Sequence, residues 1–338
     1  MNPKTKHIIV IFICSTIILS LVVGSLIFNV VFNGEIPQTR VLNDDSGNLI
    51  AIAPFPPSFQ FPMGTDRDGN DMFYVILKGA MYTIGVSLII SCLSFALAFV
   101  FGIIGAFTKS KSKYITQTLF TSFYFIPQSI IAYNLLFPFL WEPPGGYTTT
   151  LTERIVLQIV VLSILTLPTT AILISNEAVQ LLQKEYITSA KVLGASRFFI
   201  LRKHLLPHLK LRLFIIYPKI IIQVLLILAH LGFFNLFLGG TAVDHEYGGS
   251  PAPYVNEWAG FMGTNYLELY NKAWIFLGPM FFFALTILLL NGLSKGIENL
   301  LETQLDPQII HKKQNIKSKT IIGVSNIKKD DFSLVKSS

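Results

Sequence analysis

A chain of 338 residues that is 52% hydrophobic and only 13% charged, with a mean hydropathy of +0.58, is too apolar for an ordinary soluble domain, so a lipid bilayer is its main solvent. The formal net charge of +7 does not indicate a nucleic-acid partner, because the basic residues form no patch interleaved with aromatics and mostly flank apolar runs. Cys14 and Cys92 both fall inside apolar runs, which argues against a secreted disulfide framework and gives them packing roles.

A spanning helix needs about 20 apolar residues, and six runs of that order occur, near 8–32, 79–107, 114–140, 155–176, 213–238 and 273–294. The first follows Lys4 and Lys6 but is too long for a secretion signal and lacks a small-residue cleavage site before Asn33, so an uncleaved helix is expected. Between the first two spans, Pro37, Pro54, Pro56, Pro57 and Pro62 exclude a long helix before about residue 63 and predict an extended excursion. It ends in MGTDRDGND, 63–71. Asp66, Asp68, Asn70 and Asp71 there do not have EF-hand spacing, and Asp71 or Asn70 is expected to cap the next helix instead.

Short links at 108–113 and 141–154 predict antiparallel neighbours. Pro127, Pro168 and Pro218 fall within spans and can bend them. Polar residues inside spans are costly in hydrocarbon and should face protein or water. They are Gln128 and Asn134 in the third run, Lys219, Gln223, His230 and Asn235 in the fifth, and Asn291 in the sixth. Interhelical hydrogen bonding and a place on a translocation path are equally open for them. Gln223 and His230 are the path candidates, since the fifth run is densest, and Lys219 is expected to snorkel to the nearer surface.

Orientation follows from the basic residues. With the N-terminus inside, the stretches 1–7, 108–113, 177–212 and 295–338 are cytoplasmic and hold 20 of the 26 lysines and arginines, whereas the outside loops hold Arg40, Arg67, Lys78 and Arg154. Both termini are then cytoplasmic. The chain divides into an N-terminal helix and excursion at 1–78, a helical bundle at 79–300, and a Lys-, Ser- and Asn-rich tail at 301–338 that is expected to be poorly ordered.

The stretch 177–212 is far longer than a helix connection requires. Ala178, Leu181, Leu182 and Ile187 recur at helical spacing, small residues gather at Ser189, Ala190, Gly194, Ala195 and Ser196, and basic residues flank Leu206 and Pro207. Small side chains would let another protein's backbone approach. His204 and His208 are four apart, but Pro207 is expected to interrupt the helix between them and no carboxylate joins them, which argues against a metal site.

The order Glu185, Ala190, Gly194, Leu206-Pro207 resembles the cytoplasmic EAA loop of ATP-binding-cassette (ABC) importer permeases. YITSAKVLGAS followed by RKHLLP is similar to the YVxAARxxGAS and RHILPN of the second permease in the oligopeptide, dipeptide and nickel branch. MGTDRDGND resembles that branch's HPLGTDxxGRD, SPAPYVNEWAGFM at 250–262 its PPxPxWGxML, and LDP at 305–307 its terminal LDPR. Asn70, Thr188, Ser189 and His230 depart from the branch pattern.

The resemblance implies an all-α integral membrane fold, a type I bundle of about six spans with a cytoplasmic coupling helix, in the plasma or inner membrane of a prokaryote. It implies a non-enzymatic permease for peptides, or alternatively for nickel or metal chelates. Glu185, Ala190, Lys191, Gly194, Ala195, Ser196, Leu206 and Pro207 would couple it to one or two ATPase subunits. A second homologous permease and an extracytoplasmic binding protein would complete the system. The chain has no GxxxxGK[ST] phosphate loop, so ATP and Mg would be bound by the partner ATPase, and no cofactor or metal is expected in this chain. Neither inverted repeats nor a constellation such as HExxH supports a secondary transporter or an intramembrane enzyme.

Overall fold

The computed structural model describes residues 3–44, 48–108, 125–245 and 248–305. The helices in chain order are α1 (Pro3–Val31), α2 (Met72–Phe107), α3 (Gln128–Leu140), α4 (Leu151–Leu182), α5 (Glu185–Val192), α6 (Arg197–Ile200), α7 (Leu206–Phe233), α8 (Trp258–Asn265) and α9 (Ala273–Leu305). Five helical stretches among the described residues are long and apolar enough to cross a membrane: Lys4–Val31, Met72–Phe107, Leu151–Leu182, Arg197–Phe233 and Ala273–Leu301. The third predicted run is represented by α3, whose 13 residues are fewer than the ~20 that a crossing needs. The first part of that run, and the link at 108–113 beyond Thr108, lie outside the described residues. So does the tail from residue 306.

The long helices extend beyond the apolar runs because their ends are fixed by capping, which hydropathy does not register. Asp71 accepts from the Phe73 amide and starts α2 at Met72, seven residues before the apolar run begins at Gly79. Thr150 and Glu153 form a capping box at the start of α4. Pro127 turns out to be the residue before α3 rather than a kink inside a span.

Packing is closest between α2 and α4, where small polar residues let the backbones approach. The Thr166 hydroxyl donates to Ser94 Oγ at 2.9 Å, the Ser163 hydroxyl to the Ile90 carbonyl at 3.3 Å, and a Cβ on Gly102 would lie 2.9 Å from the Ala171 carbonyl oxygen. α1 lies on the outside against α2 and α9. The main core joins α2, α3, α4, α7, α8 and α9 through residues such as Ile90, Leu136, Leu162, Val224, Trp258 and Phe283.

The Pro-rich excursion is extended, as its prolines require, and carries one short antiparallel hairpin, β1 (Val41–Asn43) with β2 (Leu49–Ile52). Asp66 is turned into its own loop: its carboxylate accepts from the Asp68 and Asn70 amides and from the Asn70 side chain at 2.8–3.0 Å. The acidic cluster is therefore a turn, as expected from its spacing. At the same end, Arg154 is buried, donates to the Gly239 and Thr149 carbonyls at 2.5 and 2.6 Å, and stacks its guanidinium 3.7 Å from the Tyr147 ring centre. α8 is wedged between α2, α7 and α9. A Cβ on Gly263 would fall 1.9 Å from the Gly232 carbonyl oxygen, so this crossing exists only because both residues are glycine.

Candidate functional site

The 177–212 stretch folds as a helical return at the bundle end that carries the chain's basic loops. α4 runs on to Leu182, and after the Gln183-Lys184 turn α5 begins. α5 ends in a Schellman closure in which the Ala195 amide bonds the Ala190 carbonyl at 3.0 Å and the Gly194 amide bonds the Lys191 carbonyl at 3.1 Å. Gly194 sits at φ 85°, a left-handed conformation natural to glycine. Ser196 then caps α6 through the Phe199 amide. Lys191 donates to the Leu182 carbonyl at 3.2 Å and so closes the end of α4.

One face of this return is anchored. Ile187, Ile200, Leu205 and Leu209 are buried with Ala178, Leu181, Leu182 and Ile103. The other face is bare: Val192 and Leu193 are 83% and 86% exposed, Phe198 70%, and Tyr186 and Phe199 are also exposed. Apolar side chains concentrated on so short a segment at a polar end are the mark of a surface meant to be covered.

The structure brings Glu185, Ala190, Lys191, Gly194, Ala195 and Ser196 together on this return, with Glu185, Lys191, Gly194 and Ser196 exposed and Ala190 and Ala195 half-buried. Gly194 differs in its reason. A Cβ there would meet nothing within 4 Å, so glycine is required by the backbone turn and not by a crowding neighbour. Gly194→Ala is expected to loosen the return by about 1 kcal/mol, whereas Gly194→Asn, which tolerates the left-handed region, is expected to lose less. Amide hydrogen exchange across 185–200 checks the order.

Pro207 does not interrupt the helix as its position suggests. A π-helical turn, Leu201–Leu205, precedes α7, and the Leu206 amide reaches back to the Leu201 carbonyl. The widened turn changes the bonding register next to a residue that has no amide hydrogen to give. Leu206 is half-buried and Pro207 exposed in the first turn of α7. His204 and His208 lie near the Tyr186 ring, at 6.1 and 5.8 Å between centres. No group of three or more potential metal ligands occurs among the described residues.

The two path candidates share one helix but not one role. Gln223 joins three elements: its amide donates to Gln128 Oε1 at 2.6 Å and to Thr169 Oγ1 at 3.0 Å, linking α7 to α3 and α4. His230, on the last turn of α7, is exposed. Lys219 is exposed on the same helix. Sequence reasoning missed the bare apolar rim, although Tyr186, Val192, Leu193, Phe198 and Phe199 stand beside the small residues it singled out. Thr169 was missed because a hydroxyl inside an apolar run carries no sign of its partner.

The chain matches the family described as binding-protein-dependent transport system inner membrane component over residues 98–306, more than half of its length. It is 25% identical over 252 residues to the dipeptide transport system permease protein DppC of Bacillus subtilis, covering 74% of this chain and 71% of that protein. It is 23% identical over 290 residues to the oligopeptide transport system permease protein OppC of the same organism, covering 86% and 84%. To the OppC of Haemophilus influenzae it is 23% identical over 259 residues, covering 77% and 75%. The match runs from the last third of α2 through the 177–212 return to the end of α9. With its long apolar helices and that return, the chain is a multi-pass membrane protein that belongs to the binding-protein-dependent family of ABC importer permeases.

Proposed function

We propose that this chain is one of the two membrane-spanning subunits of a peptide importer, and that the return from Glu185 to Pro207 receives the motion of a separate ATPase subunit. The basic end of the bundle is then cytoplasmic, as the distribution of lysine and arginine requires. A second homologous permease completes the path, and an extracytoplasmic binding protein delivers the peptide to the opposite end. The observation that carries the coupling role is the bare rim of Tyr186, Val192, Leu193, Phe198 and Phe199 on a segment whose other face is buried in the bundle. A partner that covers the rim pushes on α5 and α6, whose buried side chains Ile187 and Ile200 bear on the ends of α2, α4 and α7. Such packed elements shift as units and do not deform gradually.

The relatives named for dipeptide and oligopeptide transport support peptides as the cargo. The test is purification of the tagged chain in mild detergent from its native host, with its companions identified by mass spectrometry. A second permease and one or two P-loop ATPases are expected. Recovery of this chain alone, active in vesicles without ATP, would overturn the proposal in favour of a secondary transporter.

A further inference from the structure

Helix α7 carries a stripe of polar side chains along its length, parts of which stand exposed among the described residues. Lys219, Gln223, Leu226 and His230 follow one another at steps of four, three and four residues, which places them on one helix face. Lys219, Leu226 and His230 are exposed, Gln223 is half-buried against α3, and the opposite face, with Ile220, Val224, Ile227, Leu228 and Leu231, is buried. Among the described residues Lys219 and His230 have no side-chain partner. Phe234, one turn beyond His230, packs edge-on against Tyr133 of α3 at 5.6 Å, so α3 borders the stripe at Gln223 and again at its outer end.

A lysine, an amide and an imidazole turned toward hydrocarbon would be costly, about 3 kcal/mol for the lysine alone at mid-depth. Lys219 and His230 stand 11 residues, about 16 Å, apart on this face, and ionisable side chains on a spanning helix as a rule face protein or water. The stripe therefore faces water or protein. Lys219 contributes a cation with free donors and His230 an imidazole, whereas both Gln223 amide hydrogens are already given to Gln128 and Thr169; neither α7 nor the bordering α3 contains an aspartate or glutamate.

We infer that the Lys219–Gln223–His230 face of α7 is a water-exposed wall of the permeation path that favours a carboxylate-bearing permeant. This deepens the proposed importer and rests on that reading. A spacing of about 16 Å matches roughly five residues of extended peptide at about 3.3 Å each, so a chain leaving one donor meets the next before it is released.

Leu226 offers a reporter, because it lies on the stripe between Lys219 and His230 and makes no polar contact. In a Cys14→Ala, Cys92→Ala background, Leu226→Cys is expressed in the native membrane. It is treated with a sulfonate-bearing and a trimethylammonium-bearing methanethiosulfonate, each normalised to its rate on a free thiol. Leu19→Cys, on the 62%-exposed outer face of α1, serves as the lipid-facing control. The expected result is that Leu226→Cys reacts while Leu19→Cys does not, with the anion favoured about tenfold, and that Lys219→Gln abolishes the preference.

Two results would overturn the inference: Leu226→Cys as inert as the control, which would mean that lipid or the second permease covers the stripe, or a labelling ratio unchanged by Lys219→Gln. ATP-driven peptide uptake in the same vesicles reports separately on the proposed function. Uptake with an inert Leu226→Cys removes only the wall, whereas charge-selective labelling without ATP-driven uptake removes the importer and leaves the wall.

Discussion

Replacing Val192 and Leu193 together by aspartate leaves the chain folded and inserted but releases the ATPase subunit. Both side chains are more than four-fifths exposed, so the substitution removes no internal contact, and surface changes of this kind alter stability by only about 0.5 kcal/mol. In the proposed complex the same side chains are the apolar centre of the interface. Burying an aspartate where an apolar anchor sat costs about 2 kcal/mol or more, a loss of roughly thirtyfold in affinity. The measurements are co-purification of the ATPase and ATP-driven uptake, alongside the thermal midpoint of the permease by itself. Loss of association with an unchanged midpoint is the expected outcome. Unchanged association and uptake would place the ATPase elsewhere on the molecule.

The second large effect concerns the opposite end of the bundle. Glu257 is 2% exposed and caps α8 by accepting from the Ala259 amide at 2.8 Å and from the Gly260 amide. The neighbouring Trp258 amide bonds Thr83 of α2 at 2.9 Å, and the Trp258 indole donates to the Ile76 carbonyl at 2.7 Å. Burial pushes the Glu257 carboxyl up to about 7, against the opposing pull of the Ala259 and Gly260 amides and the Thr83 hydroxyl. A carboxyl raised above its unfolded value binds its proton more tightly in the folded chain. Its contribution to stability is therefore complete below about pH 4.5 and is lost as pH rises through about 7.

With 1.36 kcal/mol per pH unit, the wedge of α8 is expected to weaken by about 3 kcal/mol across that window. Glu257→Gln keeps an acceptor for the amides and has no charge to bury. Its thermal midpoint in detergent should therefore exceed that of the parent at pH 8 and equal it near pH 4. Glu257→Ala, which leaves the amides of α8 without an acceptor, should be less stable at both. If Glu257→Gln follows the parent's pH profile, another group governs it.

Much of this molecule was legible from side chains whose meaning is local. Apolar runs of membrane length marked five of the long helices, because the bilayer requires every spanning backbone to satisfy itself along one element. Asp71 was legible as a cap, since it stands just before an apolar run, and the prolines between 37 and 62 foretold an extended excursion. The 177–212 return was legible as unusually long for a connection, and its small residues with Leu206-Pro207 carried the family resemblance that the family match later bore out.

What the tertiary structure decided were the properties that depend on two distant segments meeting. Gly194 stood out in sequence as a small residue, and φ with the Schellman bonds adds that its own turn calls for glycine. Pro207 read as a break, yet a π-helical turn absorbs it and the helix continues. Gln223 was open between hydrogen bonding and the path, and only the structure shows its amide bonded to Gln128, 95 positions away, at 2.6 Å. Glu257 carried no signal in sequence, because the cost of a carboxylate is set by the helices that enclose it, and Trp258, Thr83 and Gly232 come from three different parts of the chain. Sequence by itself thus determined which segments are apolar enough to span a membrane and that 177–212 is longer than a connection needs, since both are read over a few turns of chain. Only the packed bundle decided which polar groups are satisfied inside it and which remain turned outward, because burial and partnership are set by neighbours that the chain order does not reveal.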